Sequence, residues 1–125
     1  MHHQNIKIVI PINSVTKKNH SQVVMIKGRP IVLPSKPYQE FEKACKPYLL
    51  DYKLGINEPI NLKVSYYMQT RRKCDITNLL QATCDMLVKY GVIEDDNYSI
   101  IASFDGTRVY YDKENPRQEI EINTI

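Results

Sequence analysis

The chain has 125 residues, of which 42% are apolar and 25% are charged, and this composition is typical of a folded globular protein. Because ordinary domains cluster near about 100 to 150 residues, we expect residues 1–125 to form a single domain. Three cysteines without a CxxC spacing argue against a disulfide framework or a zinc site, so we expect a reducing, cytoplasmic environment. No apolar run is long enough for a membrane span, and no secretory signal is recognisable.

The net charge of +3 conceals an uneven distribution along the chain. Residues 1–73 hold 13 Lys and Arg against 4 Asp and Glu, a net charge of +9, whereas residues 74–125 hold 4 against 10, a net charge of −6. This separation indicates an anionic partner for one surface and clustered carboxylates on another.

The first third of the chain predicts three strands and two polar connections. A β-branched run at 6–10 predicts a strand that ends before a proline. Residues 13–22 predict a loop rich in groups that can hydrogen-bond phosphate. Residues 23–26 and 31–33 predict a hairpin whose turn, 27–30, carries two cations.

Two helices and three further strands are predicted in the rest of the chain. Residues 37–50 and 76–90 have apolar side chains at three- and four-residue spacings, which predicts helices with one buried face. Residues 60–68 alternate with period two, and 98–104 and 119–125 are also predicted strands. We therefore predict an α/β or α+β fold, a mixed β-sheet with two main helices packed on it. In the first helix, the predicted core face comprises Tyr38, Phe41, Ala44, Cys45, Tyr48 and Leu49.

Acidic residues flank the second predicted helix. Asp75 lies at its start, and Glu94, Asp95 and Asp96 follow its end. If the strands on either side of this helix are neighbours, the two acidic groups approach one region. Magnesium prefers oxygen ligands, commonly one or two carboxylates with waters and a substrate phosphate, so Asp75 with Asp95 or Asp96 predicts a magnesium site. The cations at 71–73 would hold the phosphate.

The same residues have an ordinary structural interpretation. Asp75 is a common type of helix N-cap, and residues 95–97 are common turn chemistry. Asp85, on the polar face of the second helix, could be a solvated charge, a group that supports the site, or a partner of Lys89, and Gln81 fits the same exposed stripe. The sequence alone leaves both interpretations open.

The run Asp75-Ile76-Thr77-Asn78-Leu79-Leu80, then Asp85, then Gly91-Val92-Ile93-Glu94-Asp95-Asp96, resembles the signature of the RusA-type Holliday junction resolvases. These are small phage and prophage endodeoxyribonucleases. The polar segment from Pro11 to Asn19 and the basic run before Asp75 also resemble that family. The resemblance spans most of the chain and is most specific over 71–97.

The resemblance implies a RusA-like mixed fold and a homodimeric, magnesium-dependent enzyme that cuts two opposed strands of a four-way DNA junction during recombination and repair. Manganese is an alternative ion, and a phage- or prophage-encoded protein in the bacterial cytoplasm is implied. The catalytic and metal-binding residues would be Asp75, Asp95 and Asp96, with Thr77 as a further ligand and Asn78, Gln81 and Asp85 in support. We expect phosphate contacts from Lys17, Lys18, Asn19, Lys27, Arg29, Arg71, Arg72 and Lys73.

The chain departs from the family pattern at two positions. Thr77 stands where the family usually has a second acidic residue, and Gln81 stands where it usually has a lysine. Thr77 can coordinate a metal through its hydroxyl but brings no negative charge, and Gln81 cannot neutralise a phosphate. Two further hypotheses therefore stay open: a RusA-like DNA-binding or partner-binding phage protein with weakened catalysis, and a different metal-dependent phosphodiesterase or structural phage protein.

Overall fold

A computed structural model describes residues 5–17 and 21–125 of the chain. Within these residues the chain forms seven strands, two α-helices and a short 3-10 helix, and no helix there is both long and apolar enough to cross a membrane. The strands are β1 (Asn5–Ile10), β2 (Ser21–Ile26), β3 (Arg29–Pro34), β4 (Ile60–Met68), β5 (Ile101–Ser103), β6 (Arg108–Tyr111) and β7 (Arg117–Thr124). The helices are α1 (Lys36–Leu49), the 3-10 helix (Leu50–Tyr52) and α2 (Ile76–Lys89).

The main sheet has five strands and is mixed, so the predicted fold class is confirmed. Its order is β1-β7-β4, and β5 and β6 both pair with β4 along the other edge. β4 is antiparallel to β7 but parallel to β5 and β6. α2 connects β4 to the parallel strand β5, as the predicted crossover requires. The carboxyl end of β4 therefore leads directly towards the start of α2.

β2 and β3 form a separate two-stranded sheet. Their two-residue turn consists of Lys27 and Gly28, both with positive φ, 51° and 76°. Positive φ at both central residues is the geometry that matches the twist of a tight hairpin. The predicted hairpin is therefore observed, and Lys27 and Arg29 are exposed at its tip.

One face of the main sheet is buried against the helices. Alternate residues of β4 and β7 point to this face, and Leu62, Val64 and Ile120 are fully buried there. α1 contributes Tyr38, Phe41, Cys45 and Leu49, whereas the prediction that Ala44 and Tyr48 also face the core is wrong. The buried residues follow a narrow 3-4-4 spacing, and positions 44 and 48 lie on the flank of that stripe.

The region after α2 differs most from the sequence prediction. The predicted strand 98–104 is reduced to β5, because Asn97 begins a turn in which its carbonyl accepts from the N–H groups of Ile100 and Ile101. The Asn97 side chain also accepts from the N–H of Ser99, a local bond that competes with strand pairing. β6 was not predicted, because all four of its residues are exposed and give no alternating pattern.

A buried hydrogen-bond chain joins α2 to the two central strands. The hydroxyls of Tyr66 on β4 and Thr83 on α2 are 2.6 Å apart, and the Thr83 hydroxyl donates to Oε1 of Gln118 on β7 at 2.9 Å. All three residues are buried. Because buried polar groups are costly when unpaired, this chain fixes how α2 lies on the sheet.

Replacing Thr83 with valine should destabilise the fold more than replacing Tyr66 with phenylalanine. Thr83→Val leaves buried groups on both neighbouring residues without partners, so we expect a loss of about 2 to 3 kcal/mol, whereas Tyr66→Phe should cost about 1 kcal/mol. Urea unfolding followed by circular dichroism measures both. The exposed Thr70→Val is the control and should change stability by less than about 0.5 kcal/mol. Equal stability of Thr83→Val and the wild type would contradict this role.

Candidate active site

A groove lies where β4 ends and the chain turns into α2. Its volume is about 590 Å³, and its walls are residues 13–16, which follow β1, and residues 68–70 and 72–75, with Asn78 from α2. The N–H of Gln69 donates to Oδ1 of Asn13 at 2.9 Å, so one hydrogen bond joins the two walls. The groove thus brings together segments that are more than 50 residues apart in sequence.

Asp75 occupies the N-cap position of α2 without acting as a side-chain cap. Its backbone is extended, and its carboxylate accepts no hydrogen bond from the N–H groups of the helix. Its side-chain contact is a long bond of 3.4 Å from the Asn78 amide, and Asp75 is exposed in the groove. The alternative interpretation of this carboxylate as a helix cap is therefore not realised.

Asp95 has the structural role expected of a turn residue. Its two carboxylate oxygens accept from the N–H of Asp96 and from the amide of Asn97, each at 2.8 Å. These bonds hold the pKa of Asp95 below its usual value and favour the ionised form, and the bond from the Asp96 backbone has the largest effect.

Asp96 follows Asp95 in the turn after α2, and its negative charge acts on the thiol of Cys84. Burial, followed by the negative charges of Asp96 and Asp85, raises the pKa of the Cys84 thiol to about 12.

The donor atoms fit a magnesium site with few protein ligands. Asp75, Thr77 and Asn78, at the start of α2, offer a carboxylate, a hydroxyl and an amide oxygen, which are hard ligands. Within residues 5–17 and 21–125, no three side chains of the His, Cys, Asp and Glu types form a metal-binding group. Magnesium commonly takes one or two carboxylates and completes its shell with water and substrate phosphate, so this donor set remains compatible with it.

Lys17 reaches α2 across a smaller cavity. This cavity, of about 230 Å³, is lined by Lys17, Asn78, Gln81 and Ala82. Lys17 Nζ is 2.9 Å from Oδ2 of Asp85, and the Gln81 amide donates to Oδ1 of the same carboxylate at 2.9 Å. A cation thus lies beside Gln81, although it comes from another part of the chain.

The proposed pairing of Asp85 with Lys89 is wrong. Lys89 instead forms an ion pair with Glu42 of α1. The sequence favoured Lys89 because it is one helical turn from Asp85, whereas Lys17 is 68 positions away and only the tertiary structure brings it near.

Apart from Lys17, the predicted phosphate-binding residues fall into three groups. Arg72 and Lys73 line the groove, and Arg71 lies next to them. Lys27 and Arg29, at the hairpin turn, line neither of the two cavities. Lys18 and Asn19 lie outside the described residues.

Ser14 is a groove residue that the sequence marked only as part of a polar segment. Ser14 is 7% exposed, and its hydroxyl has no hydrogen-bond partner within the described part of the chain. A buried hydroxyl without a partner costs about 1 to 3 kcal/mol. Ser14 therefore lies in the groove wall with its hydroxyl oxygen buried.

A mixed α+β fold with an acidic, cation-lined groove is suited to binding a phosphodiester chain. The chain matches the family described as endodeoxyribonuclease RusA over residues 11–123, and it belongs to that family. The matched range includes both walls of the groove, α2 and the turn at 95–97. No curated protein gives a significant match to the chain. Membership identifies a nuclease class that hydrolyses DNA, with DNA as the partner.

Thiol labelling tests the exposure of the groove. Cys74 is exposed and lines the groove, whereas Cys45 and Cys84 are buried and burial raises the pKa of each to about 12. A maleimide at pH 7.5 should therefore modify Cys74 alone in the native protein, as mass spectrometry can measure. Cys74→Ser is the control and should remain unlabelled. Rapid labelling of that variant would show that the described burial is wrong.

Proposed function

We propose that residues 1–125 act as a single metal-dependent endodeoxyribonuclease domain that resolves four-way DNA junctions in recombination and repair. The observation that carries the proposal is the exposed carboxylate of Asp75, which makes no capping hydrogen bond to α2 and lies in a groove whose walls include Arg72 and Lys73. The family match over residues 11–123 supports it. The resemblance and the three free cysteines support a phage- or prophage-encoded protein in the bacterial cytoplasm.

Asp75 and Asp96 would be the principal metal ligands. Thr77 would add a hydroxyl oxygen and Asp95 a further carboxylate, although both oxygens of Asp95 already accept bonds within the turn. When bound, Mg²⁺ or Mn²⁺ would lower the pKa of water and offset the charge that develops on the scissile phosphate. The Asn78 amide, which contacts the Asp75 carboxylate, would orient it.

The basic residues would hold the DNA backbone. Arg72 and Lys73 are exposed in the groove wall, and Lys17 is held at its Nζ by Asp85. Such contacts position a strand without reading its bases and weaken as salt increases.

The two departures from the family pattern affect the proposal differently. At Gln81, the ammonium of Lys17 lies beside the amide that replaces a lysine, and this supports retained phosphate binding. At Thr77, a neutral hydroxyl replaces an acidic group. This change favours the second candidate function, a DNA-binding protein with weakened catalysis.

The deciding assay uses a labelled four-way junction and a linear duplex of the same sequence, with Mg²⁺ or EDTA. We expect paired nicks in the junction only, and Asp75→Asn should reduce the cleavage rate at least about 100-fold. Asp105→Asn is the control, because Asp105 is exposed and its backbone bonds to Asn61 near the opposite end of β4.

The other outcomes of this assay have separate meanings. Tight junction binding without cleavage at any Mg²⁺ or Mn²⁺ concentration would support the DNA-binding candidate. Cleavage of the linear duplex at the same rate would contradict junction specificity.

A homodimer would allow a 14.6 kDa chain to cut two strands symmetrically. Two-fold symmetry in the protein matches that of an open junction. The β2–β3 hairpin supports a contact between copies, because Val23, Met25 and Val32 are each about two-thirds exposed and a two-stranded sheet is marginally stable in water. Sedimentation equilibrium should give the mass of two chains, and a monomer at all concentrations would exclude this arrangement.

A further inference from the structure

The edge strand β6 presents two consecutive tyrosines to opposite faces of the sheet. Tyr110 is in register with Tyr67, and their rings stack with centroids 4.8 Å apart and planes 14° apart. Tyr111 is in register with Met68, which lines the groove. Since neighbouring strand residues alternate in direction, Tyr111 lies on the groove side and Tyr110 on the other.

Tyr111 supports the guanidinium of Arg71. The Cζ atom of Arg71 lies 4.2 Å from the centroid of the Tyr111 ring, and no ion pair of Arg71 is found in the described part of the chain. A guanidinium that stacks on a ring uses its face, and its N–H donors point outward in its own plane. These donors are therefore available for a planar, two-bond contact with a phosphate.

Arg117 shows the contrasting case in the same sheet. Its guanidinium lies 3.7 Å from the centroid of Tyr67, but its N–H groups donate to Asp112 and Glu119 and to the carbonyl of Asn115. The N–H donors of Arg117 are therefore already used by acceptors within the protein. Among residues 5–17 and 21–125, Arg71 has no such partners, and it directly precedes Arg72 and Lys73 of the groove wall.

The segment that carries Arg71 is held at several points but has no regular secondary structure. It begins at the end of β4, where the Met68 carbonyl accepts from Asp112, continues past the bond between Gln69 and Asn13, and ends at α2. Between these points, the ring of Tyr111 restrains the Arg71 side chain itself. Restraint before binding reduces the entropy that a long side chain loses when it contacts a ligand.

We propose that Tyr111 is a positioning residue that holds Arg71 ready to bind a phosphate of a DNA strand entering the groove. The proposal rests on the proposed function, since it requires DNA in this groove. Tyr111 acts through Arg71 and does not itself contact the DNA.

A double-mutant cycle tests this coupling. Junction binding is measured by fluorescence anisotropy in EDTA over a range of salt concentrations. Tyr111→Leu and Arg71→Ala should each weaken binding about three- to tenfold, and Arg71→Ala, which removes a charge, should also reduce the salt slope by about one, the value of one lost phosphate contact. The combined variant should bind no more weakly than Arg71→Ala alone.

Conservative and matched variants separate positioning from general stability. Tyr111→Phe keeps the ring face and should bind as the wild type does. Tyr110→Leu removes a neighbouring tyrosine of similar exposure, 38% against 44%, and should leave junction affinity unchanged even if thermal unfolding shows lower stability. Arg71→Lys keeps the charge without the planar stack and should lose affinity while retaining the salt slope.

Several outcomes would overturn the proposal. They are unchanged affinity of Tyr111→Leu, failure of Tyr111→Phe to restore binding, and an equal loss from Tyr111→Leu in the Arg71→Ala background, which would mean that the ring contacts DNA directly. If Tyr111→Leu does not fold, wild-type affinity of Arg71→Lys overturns the proposal instead.

A wild type that binds duplex but not junction would contradict the proposed function, and the same cycle on duplex would still decide the role of Tyr111. A wild type that binds neither DNA would overturn both.

Discussion

The buried hydrogen-bond chain from Tyr66 through Thr83 to Gln118 is the constraint on which the arrangement of the groove depends. It joins the middle of α2 to β4 and β7, the two central strands of the sheet. Because the Thr83 hydroxyl donates its proton to Gln118, it accepts from the Tyr66 hydroxyl, whose pKa is raised by burial. With α2 fixed in this way, Asp75 at its start stands where β4 ends.

The loop after β1 then completes the groove through two polar contacts. Asn13 accepts from the backbone of Gln69, and Lys17 pairs with Asp85 on α2. These contacts bring a cation, Lys17, to α2 and place residues 13–16 in the groove wall that also includes Asp75. The groove is therefore a product of the tertiary structure and not of any one motif.

The sequence predicted the elements that have strong periodicity. The alternation in residues 60–68 and the helical spacing in 76–90 correspond to β4 and α2. β6 gave no signal because all of it is exposed, and the strand expected from residue 98 was shortened by hydrogen bonds around Asn97. The hydrophobic periodicity of a segment indicates which of its faces is buried, but it does not indicate side-chain hydrogen bonds such as those around Asn97.

The sequence predicted which residues belong to the candidate site but not which hydrogen bonds and ion pairs each of them makes. The motif identified Asp75, Asp95 and Asp96. In the structure the Asp75 carboxylate makes no capping hydrogen bond, whereas both carboxylate oxygens of Asp95 accept hydrogen bonds within the turn. The role of Lys17 beside Gln81 needed the tertiary structure, because it depends on an ion pair across 68 positions. The single-residue departures in the motif are therefore not sufficient to decide function, because residues from elsewhere in the chain contribute to the same surface.

The central proposal is that Asp75, in the groove wall, and Asp96 bind one metal ion. The most direct measurement is an anomalous difference map from crystals of the protein with Mn²⁺, recorded with and without a non-cleavable junction. The account predicts a peak within about 2.5 Å of a carboxylate oxygen of each residue. A peak at another location, or none at Asp75 when junction is bound, would contradict it.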